Sequence, residues 1–297
     1  MYSIKKKFSW IVTGGAGFIG SNLCKFLIKN NQKVICIDNL FSGSKKNIKN
    51  LDKYKNFKFI KCDIRNLKLK SIFQNVDYIV HLAALGSVLR SIKNPSETNS
   101  VNVDGSINIL EIAKKIKVKK FIFASSSSVY GNSKLFPLKE KNLLFPTNTY
   151  SLSKKFNEDL SKIYCKFYGI KAVGIRFFTV YGEWGRPDMF FLKLFKSAFT
   201  KEVFNLNNKG NHHRDFTYIG DIFSLINSLM KKKIKGHEVY NFCSNNPVDI
   251  SQIVKKVKKR FSVKVKLRPL QKADIIKTHG SNNKIIKQTK FKDFMNI

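Results

Sequence analysis

Tyr150 and Lys154 stand four apart in 150-YSLSK-154, inside a stretch whose pattern predicts a helix from Thr149 to Tyr168, so the two side chains share one face. A phenol has an ordinary pKa of about 10 and is a poor base at neutral pH. A cation held beside it favours the phenolate and lowers that value, so the pair suits proton abstraction from an alcohol. Upstream, 121-FIFASSSSVYG-131 ends an apolar strand-like run on four serines. Serine clusters are common in solvent loops. A parallel strand, however, delivers its C-terminal end to a ligand crevice, where short hydroxyls reach substrate oxygens. This segment follows a strand and precedes the Tyr-Lys helix, which favours the second reading.

The stretch 11-IVTGGAGFIG-20 joins a predicted strand, Ser9 to Thr13, to a predicted helix, Phe18 to Lys29. Glycines 14, 17 and 20 permit a tight turn and close backbone approach to a pyrophosphate, whose charge meets the helix N-terminus. The next strand, 33-KVICIDNL-40, ends in Asp38. A carboxylate there accepts from both ribose hydroxyls and repels a 2′-phosphate, which points to NAD rather than NADP.

These residues need a scaffold, and the chain supplies one. Strand-like segments (57–63, 76–82, 119–124 and 172–178, besides the two above) alternate with helical ones around 102–117 and 149–168. That rhythm predicts an α/β fold, a Rossmann-type doubly wound parallel sheet with a smaller C-terminal substrate-binding domain. Residues 1–179 would form the NAD-binding domain, with 221–245 returning to it, and 180–220 with 246–297 the substrate-binding domain. The 297 residues, 43% hydrophobic, are enough for a large core. No run approaches ~18 apolar residues, so no membrane span is expected. The first strand starts almost at once, so neither is a signal peptide. The five cysteines are scattered and no Cys/His spacing suits zinc, although His212 and His213 are adjacent; neither disulfide nor metal is expected, and a reducing, cytoplasmic location is. Lys+Arg number 56 against 19 Asp+Glu, a formal charge of +37, which would favour polyanions. Only seven of those cations are arginine and the lysines are spread along the chain, so a composition bias explains them better than a nucleic-acid stripe.

The glycine motif TGGAGFIG, with CDIR (62–65), HLAAL (81–85), SVYG and the Tyr150-xxx-Lys154 spacing, resembles the extended short-chain dehydrogenase/reductase family, the NAD-dependent epimerases and dehydratases, over nearly the whole chain. The resemblance implies that Ser126, five residues before Gly131, joins Tyr150 and Lys154 as the catalytic set. It places Asp63 and Ile64 beside the adenine, Leu82, Ala83 and Ala84 along the cofactor, and Asn102 where it orients the lysine. Phe18, Ile19, Asn39 and Phe178 are counted with the cofactor residues. Relatives that dehydrate nucleotide sugars carry Asp and Glu just after the catalytic hydroxyl, and decarboxylating relatives a Glu at position 128. Ser127 and Ser128 stand here, and serine cannot do carboxylate acid/base work. Epimerisation through a transient 4-keto sugar remains.

The segment 176-RFFTVYGEWGRPDM-189 resembles a signature of UDP-glucuronate 4-epimerases, with Glu183 in place of proline. By that resemblance Thr179, Ser127 and Ser128 hold the C6 carboxylate, Arg214 and Arg186 anchor the UDP diphosphate, and Gln271 and Asp274 lie near the uridine. The loop 83-AALGSVLRSIKNP-95 departs from it: Leu89 replaces an arginine, and Arg90 matches the UDP-N-acetylhexosamine 4-epimerases, making Arg90 a candidate substrate contact. UDP-N-acetylhexosamine epimerisation is therefore the alternative, ahead of decarboxylation or a non-catalytic polyanion-binding role. Relatives commonly dimerise through two helices, here around 103–117 and 150–168.

Overall fold

The computed structural model describes residues 4–68, 71–271, 274–289, 291 and 294–295. Seven strands form one parallel sheet in the order β10-β6-β5-β4-β1-β2-β3: β1 (Ser9–Thr13), β2 (Lys33–Asp38), β3 (Phe57–Lys61), β4 (Tyr78–His81), β5 (Lys120–Ser126), β6 (Ala172–Phe177) and β10 (His237–Phe242). β7 (Thr179–Tyr181), β9 (His213–Tyr218) and β11 (Pro247–Asp249) make a second sheet, and β8 (Phe204–Leu206) pairs with β12 (Val265–Leu267). Among the described residues the helices of nine residues or more are α1 (Phe18–Lys29), α2 (Gly105–Lys115), α3 (Thr149–Tyr168), α4 (Phe190–Thr200), α5 (Asp221–Lys231) and α6 (Ile250–Lys258).

The central strands are apolar on both faces because helices cover both faces, the usual condition of a parallel sheet. On one side Trp10, Val12, Val34, Val80 and Val173 pack with Leu23, Leu27, Leu225 and Leu229. On the other, Ile11, Ile35, Ile79 and Phe121 meet Ile109, Leu110 and Tyr164. The strand order reverses between β1 and β4, where α1 and the crossovers part, so a crevice opens at the carboxyl ends of those strands. A smaller core around Leu194, Phe204, Phe216, Ile253 and Val254 supports the second sheet.

The segment 221–245 adds α5 and the edge strand β10 to the large sheet. The end of the chain departs from the expectation that 246–297 belongs wholly to the smaller unit. Ile285 and Phe291 are buried in the main core, and the Met295 amide donates to Asp221. Their apolar side chains fill the space between β10 and α5, a surface that the sequence pattern alone does not reveal.

One buried polar group ties β5, α3 and β6 together. Glu158 on α3 takes two hydrogen bonds from Arg176 on β6, Nε at 2.9 Å and Nη2 at 2.7 Å, and accepts a third from Ser125 at the end of β5. Arg176 Nη1 also donates to the Tyr130 hydroxyl at 2.7 Å, which in turn donates to Asn241 Oδ1 at 2.7 Å. Both side chains of the ion pair are nearly inaccessible, 5% and 6% exposed. Removing one member leaves the other charge buried and unpaired, which costs about 3–5 kcal/mol. Arg176→Met should therefore lower the unfolding free energy in urea by about that amount. Adding Glu158→Leu should recover a large part of it; a loss below about 1 kcal/mol for Arg176→Met would contradict this account.

Candidate active site

The glycine turn lies at the end of β1. Gly14 has φ +68°, and a Cβ there would come within 2.7 Å of the Ala83 nitrogen. A Cβ on Gly20 would come within 2.2 Å of the Gly14 oxygen. The turn thus closes on itself and on the end of β4 with space for hydrogen only. No side chain caps α1 at Gly17, so the first N–H groups of the helix face the crevice, which suits an anion. These features fit the pyrophosphate of NAD. Phe18 is buried, Ile19 half-buried, and Leu82, Ala83 and Ala84 line the crevice with intermediate exposure.

Asp38 is only 7% exposed, and its carboxylate accepts from the Ala16 amide at 3.0 Å and the Leu40 amide at 2.8 Å. Burial pushes its pKa up while those amides pull it down. It pins the glycine turn to the end of β2 and keeps lone pairs toward the crevice rim. Asn39 donates to Asp63 Oδ2 at 2.9 Å, and Arg65 grips the same carboxylate through Nε and Nη2, both at 2.9 Å. The arginine holds Asp63 at about 2, well below the ordinary carboxylate range. Ile64 is buried against Gly105. Phe178 is placed differently from the expectation for a cofactor residue. Its ring is 6% exposed and packs with Val129, Tyr130, Leu138 and Cys243, because Gly280 leaves it the space.

Across the crevice, Asn148 starts α3 with a reciprocal cap: its Oδ1 accepts from the Ser151 amide at 2.9 Å, and Ser151 Oγ accepts from the Asn148 amide at 3.1 Å. The cap fixes Tyr150 in the first turn, where the helix dipole favours negative charge. Ser126, at the last position of β5, lies close enough to the Tyr150 hydroxyl to bear on its pKa and accepts from the Ser128 amide at 3.1 Å. Burial raises the Tyr150 pKa, while Ser126 and the charge of Arg186 lower it. Arg186 is thus a cation whose charge favours the phenolate. The Lys154 ammonium lies 5.9 Å from the Tyr150 ring centroid and is itself so enclosed, 4% exposed, that its pKa falls to about 8.

Asn102 sits in a π-helical turn, Ser100–Asp104, that precedes α2. Its side chain accepts from the Leu85 amide at 2.8 Å and donates to Ser153 Oγ at 3.0 Å, next to Lys154. The widened turn leaves its carbonyl free to accept from Ser106 Oγ at 2.6 Å and Asn157 Nδ2 at 3.1 Å. His81 extends this chain, with Nε2 2.9 Å from Ser106 Oγ and Nδ1 2.7 Å from Thr13 Oγ1. Burial drives its pKa down to about 3, so it is a neutral connector. His81, Ser106, Asn157 and Glu158 were missed in the sequence. Only the histidine of HLAAL gave a signal, a polar residue ending a buried strand.

On the substrate side, Ser127 and Ser128 form the turn after β5 and are half-exposed, as is Thr179. Thr179 and Arg186 border one cleft with Phe18, Tyr181, Met189 and Phe216. Arg186 donates to the Gly86 carbonyl at 2.8 Å and pairs with Asp188 at 2.8 Å. Its charge bears on Tyr150. Arg214 donates to the Ile276 carbonyl at 3.0 Å and lies close enough to Asp274 to feel its charge. Gln271 is exposed. The Arg90 guanidinium stacks on Phe41, 5.1 Å from the ring centroid.

A lysine held below its ordinary pKa by burial destabilises the fold at neutral pH. The cost is fully present below about 8 and fades as pH rises toward the ordinary lysine value. Lys154→Met should therefore raise the melting temperature by several degrees at pH 7, less at pH 10, while lowering turnover. A variant less stable than the parent at pH 7 would contradict this reading.

Comparison with known proteins agrees with this architecture. Residues 10–243 match the model of the NAD dependent epimerase/dehydratase family. The chain is 36% identical to a UDP-glucuronate 4-epimerase of Thermodesulfobacterium geofontis, over 90% of this chain and 85% of that protein. It superposes on the UDP-glucuronic acid 4-epimerase of Bacillus cereus, solved with UDP-glucuronic acid and NAD, with TM-score 0.90, 31% identity and coverage of 98% and 95%. The UDP-N-acetylglucosamine 4-epimerase of Methanobrevibacter ruminantium, solved with UDP-N-acetylmuramic acid, gives TM-score 0.90, 30% identity and coverage of 97% and 93%. With its glycine cradle, its Ser126–Tyr150 pair and a match that spans most of its length, the chain belongs to the NAD dependent epimerase/dehydratase family and is an NAD-dependent epimerase.

Proposed function

We propose that the protein interconverts UDP-glucuronate and UDP-galacturonate by inversion at C4. The observation that carries this choice is that Thr179 and Arg186 line one cleft, that the charge of Arg186 bears on Tyr150, and that Ser127 and Ser128 form the turn directly after Ser126. A carboxylate at C6 would be held there by hydroxyls on one side and a guanidinium on the other. Neither position after Ser126 carries a carboxylic acid that could protonate a leaving hydroxyl, which supports epimerisation over elimination. The relatives named for UDP-glucuronate support the same reading.

NAD, when bound, accepts the C4 hydride and gives it back. The remaining steps belong to the chain. Ser126 Oγ positions the C4 oxygen and passes its proton to Tyr150. Before that transfer Ser126 and Arg186 stabilise Tyr150 as the phenolate against the penalty of burial, and the transfer leaves it a neutral phenol. Lys154, steadied through Ser153 and Asn102, keeps a proton close to the tyrosine. The 4-keto sugar turns about its bonds to the diphosphate and offers its other face, and Tyr150 returns the proton. Arg214 and Asp274 at the far end retain the nucleotide while the sugar turns, so that binding energy from a remote group serves the reacting centre.

We further propose a homodimer built on α3 in a reducing, cytoplasmic setting. Leu152, Phe156, Ile163 and Phe167 are 54%, 39%, 50% and 67% exposed and recur at helical spacing along one stripe. All five cysteines are free thiols.

The test is the purified protein given UDP-glucuronate and UDP-N-acetylglucosamine in parallel, with products resolved by configuration. UDP-galacturonate should form from the first, and Tyr150→Phe should lower turnover about 10²–10⁴-fold. Conversion of UDP-N-acetylglucosamine alone would overturn the substrate choice. The same sample should sediment at twice the mass of the chain, and a monomer would overturn the dimer.

A further inference from the structure

Outside the catalytic set, the second sheet holds a group of polar atoms that the fold leaves unmatched. His212 is 6% exposed, and among the described residues its Nε2 has no hydrogen-bond partner. The same holds for Asp274 Oδ2, which lies 3.8 Å from that nitrogen, too far for a hydrogen bond. Burying two such atoms unpaired costs about 1–3 kcal/mol each, so their arrangement requires a reason.

Position supplies one. Side chains alternate along β9, so Arg214 and Phe216 share a face while Asp215 and Thr217 point to the other, and His212 immediately precedes the strand. Asp215 is occupied there by the Gly280 amide at 3.0 Å and Ser244 Oγ at 2.9 Å. Phe216 borders the cleft that also contains Thr179 and Arg186. His212 stands two residues before Arg214, close enough to feel its charge, and Arg214 Nη1 is bound to the His213 and Ile276 carbonyls at 3.1 and 3.0 Å. Its remaining donors are left for a ligand.

We propose that His212 is a contact residue for the nucleoside diphosphate part of the substrate and takes up a proton when that part binds. This rests on the nucleotide-sugar reading given above and adds a pH dependence to it. Charged groups bear on His212 from both sides: Arg214 and His213 from its own strand disfavour the imidazolium, and Asp274 across from it favours it. Asp249, on the neighbouring β11, acts on His213. Burial, with Arg214 and His213, keeps the free imidazole below its ordinary pKa and hence neutral at pH 7. A diphosphate seated on Arg214 cancels that cation and adds negative charge beside the ring. Nε2 then donates to a phosphate or ribose oxygen, and the proton comes from solvent. A group whose pKa rises on binding makes the ligand bind more tightly as pH falls.

The probe is UDP-glucose, whose diphosphate does not titrate between about pH 6 and pH 8, added to the full-length protein in a calorimeter. The dissociation constant should fall about three- to ten-fold from pH 8 to pH 6. Two buffers of different ionisation enthalpy at pH 7 should report net proton uptake. His212→Gln should bind more weakly and lose both the slope and the uptake. A parent protein that binds with a flat pH profile and no proton uptake overturns the proposal without any variant, as does a His212→Gln protein with the parental slope. If UDP-glucuronate is epimerised normally while binding is flat, only the role of His212 falls. If the parent binds no UDP-sugar at all, the nucleotide-sugar reading and this inference fall together.

Discussion

The active site depends on one juxtaposition of elements that are far apart in sequence, Ser126 at the end of β5 beside Tyr150 in the first turn of α3. Neither residue can secure that distance alone, since one rides on a strand and the other on a helix. Glu158 secures it. It sits two turns further along α3, takes a hydrogen bond from Ser125, and is locked by a two-point grip to Arg176 on the next strand. A buried ion pair adds little net stability compared with an apolar substitute, but it tolerates little displacement. Here that intolerance holds the serine and the tyrosine in register.

Around this pair the protein buries several polar groups at a cost. Lys154 is enclosed until its ammonium is disfavoured, and His81 is enclosed until it is neutral. The polar chain from Thr13 through His81 and Ser106 to the Asn102 carbonyl satisfies atoms that would otherwise be stranded beneath the crevice. Groups kept in costly states cluster where chemistry is done, because the reacting atoms then meet a surrounding that needs no rearrangement. The apolar sheet absorbs the expense through its two continuous cores.

Much of this was legible from residue order. The helix expected from Thr149 to Tyr168 has those ends, since the Asn148 cap and Gly169 with φ +68° mark them chemically. The glycines of 14–20 announced a turn that only they can make. What was not legible depended on tertiary partners. Arg186 read as a nucleotide anchor, and its partners in the fold, the Gly86 carbonyl far away in sequence and Asp188, were not legible. Arg90 read as a substrate contact, and its stacking on Phe41, far away in sequence, was not legible. The cofactor role expected of Phe178 depended on a side-chain direction that Gly280 decides. The return of Ile285 and Phe291 to the main core had no local pattern to betray it.

The central claim is that the Ser126–Tyr150 pair removes and restores hydrogen at one ring carbon while the sugar stays captive, and isotope placement tests it most directly. UDP-glucuronate carrying deuterium at C4 should give UDP-galacturonate that retains the label when the reaction is run in ordinary water. Loss of the label to solvent during inversion, or uptake of solvent deuterium at C4 in heavy water, would contradict the account.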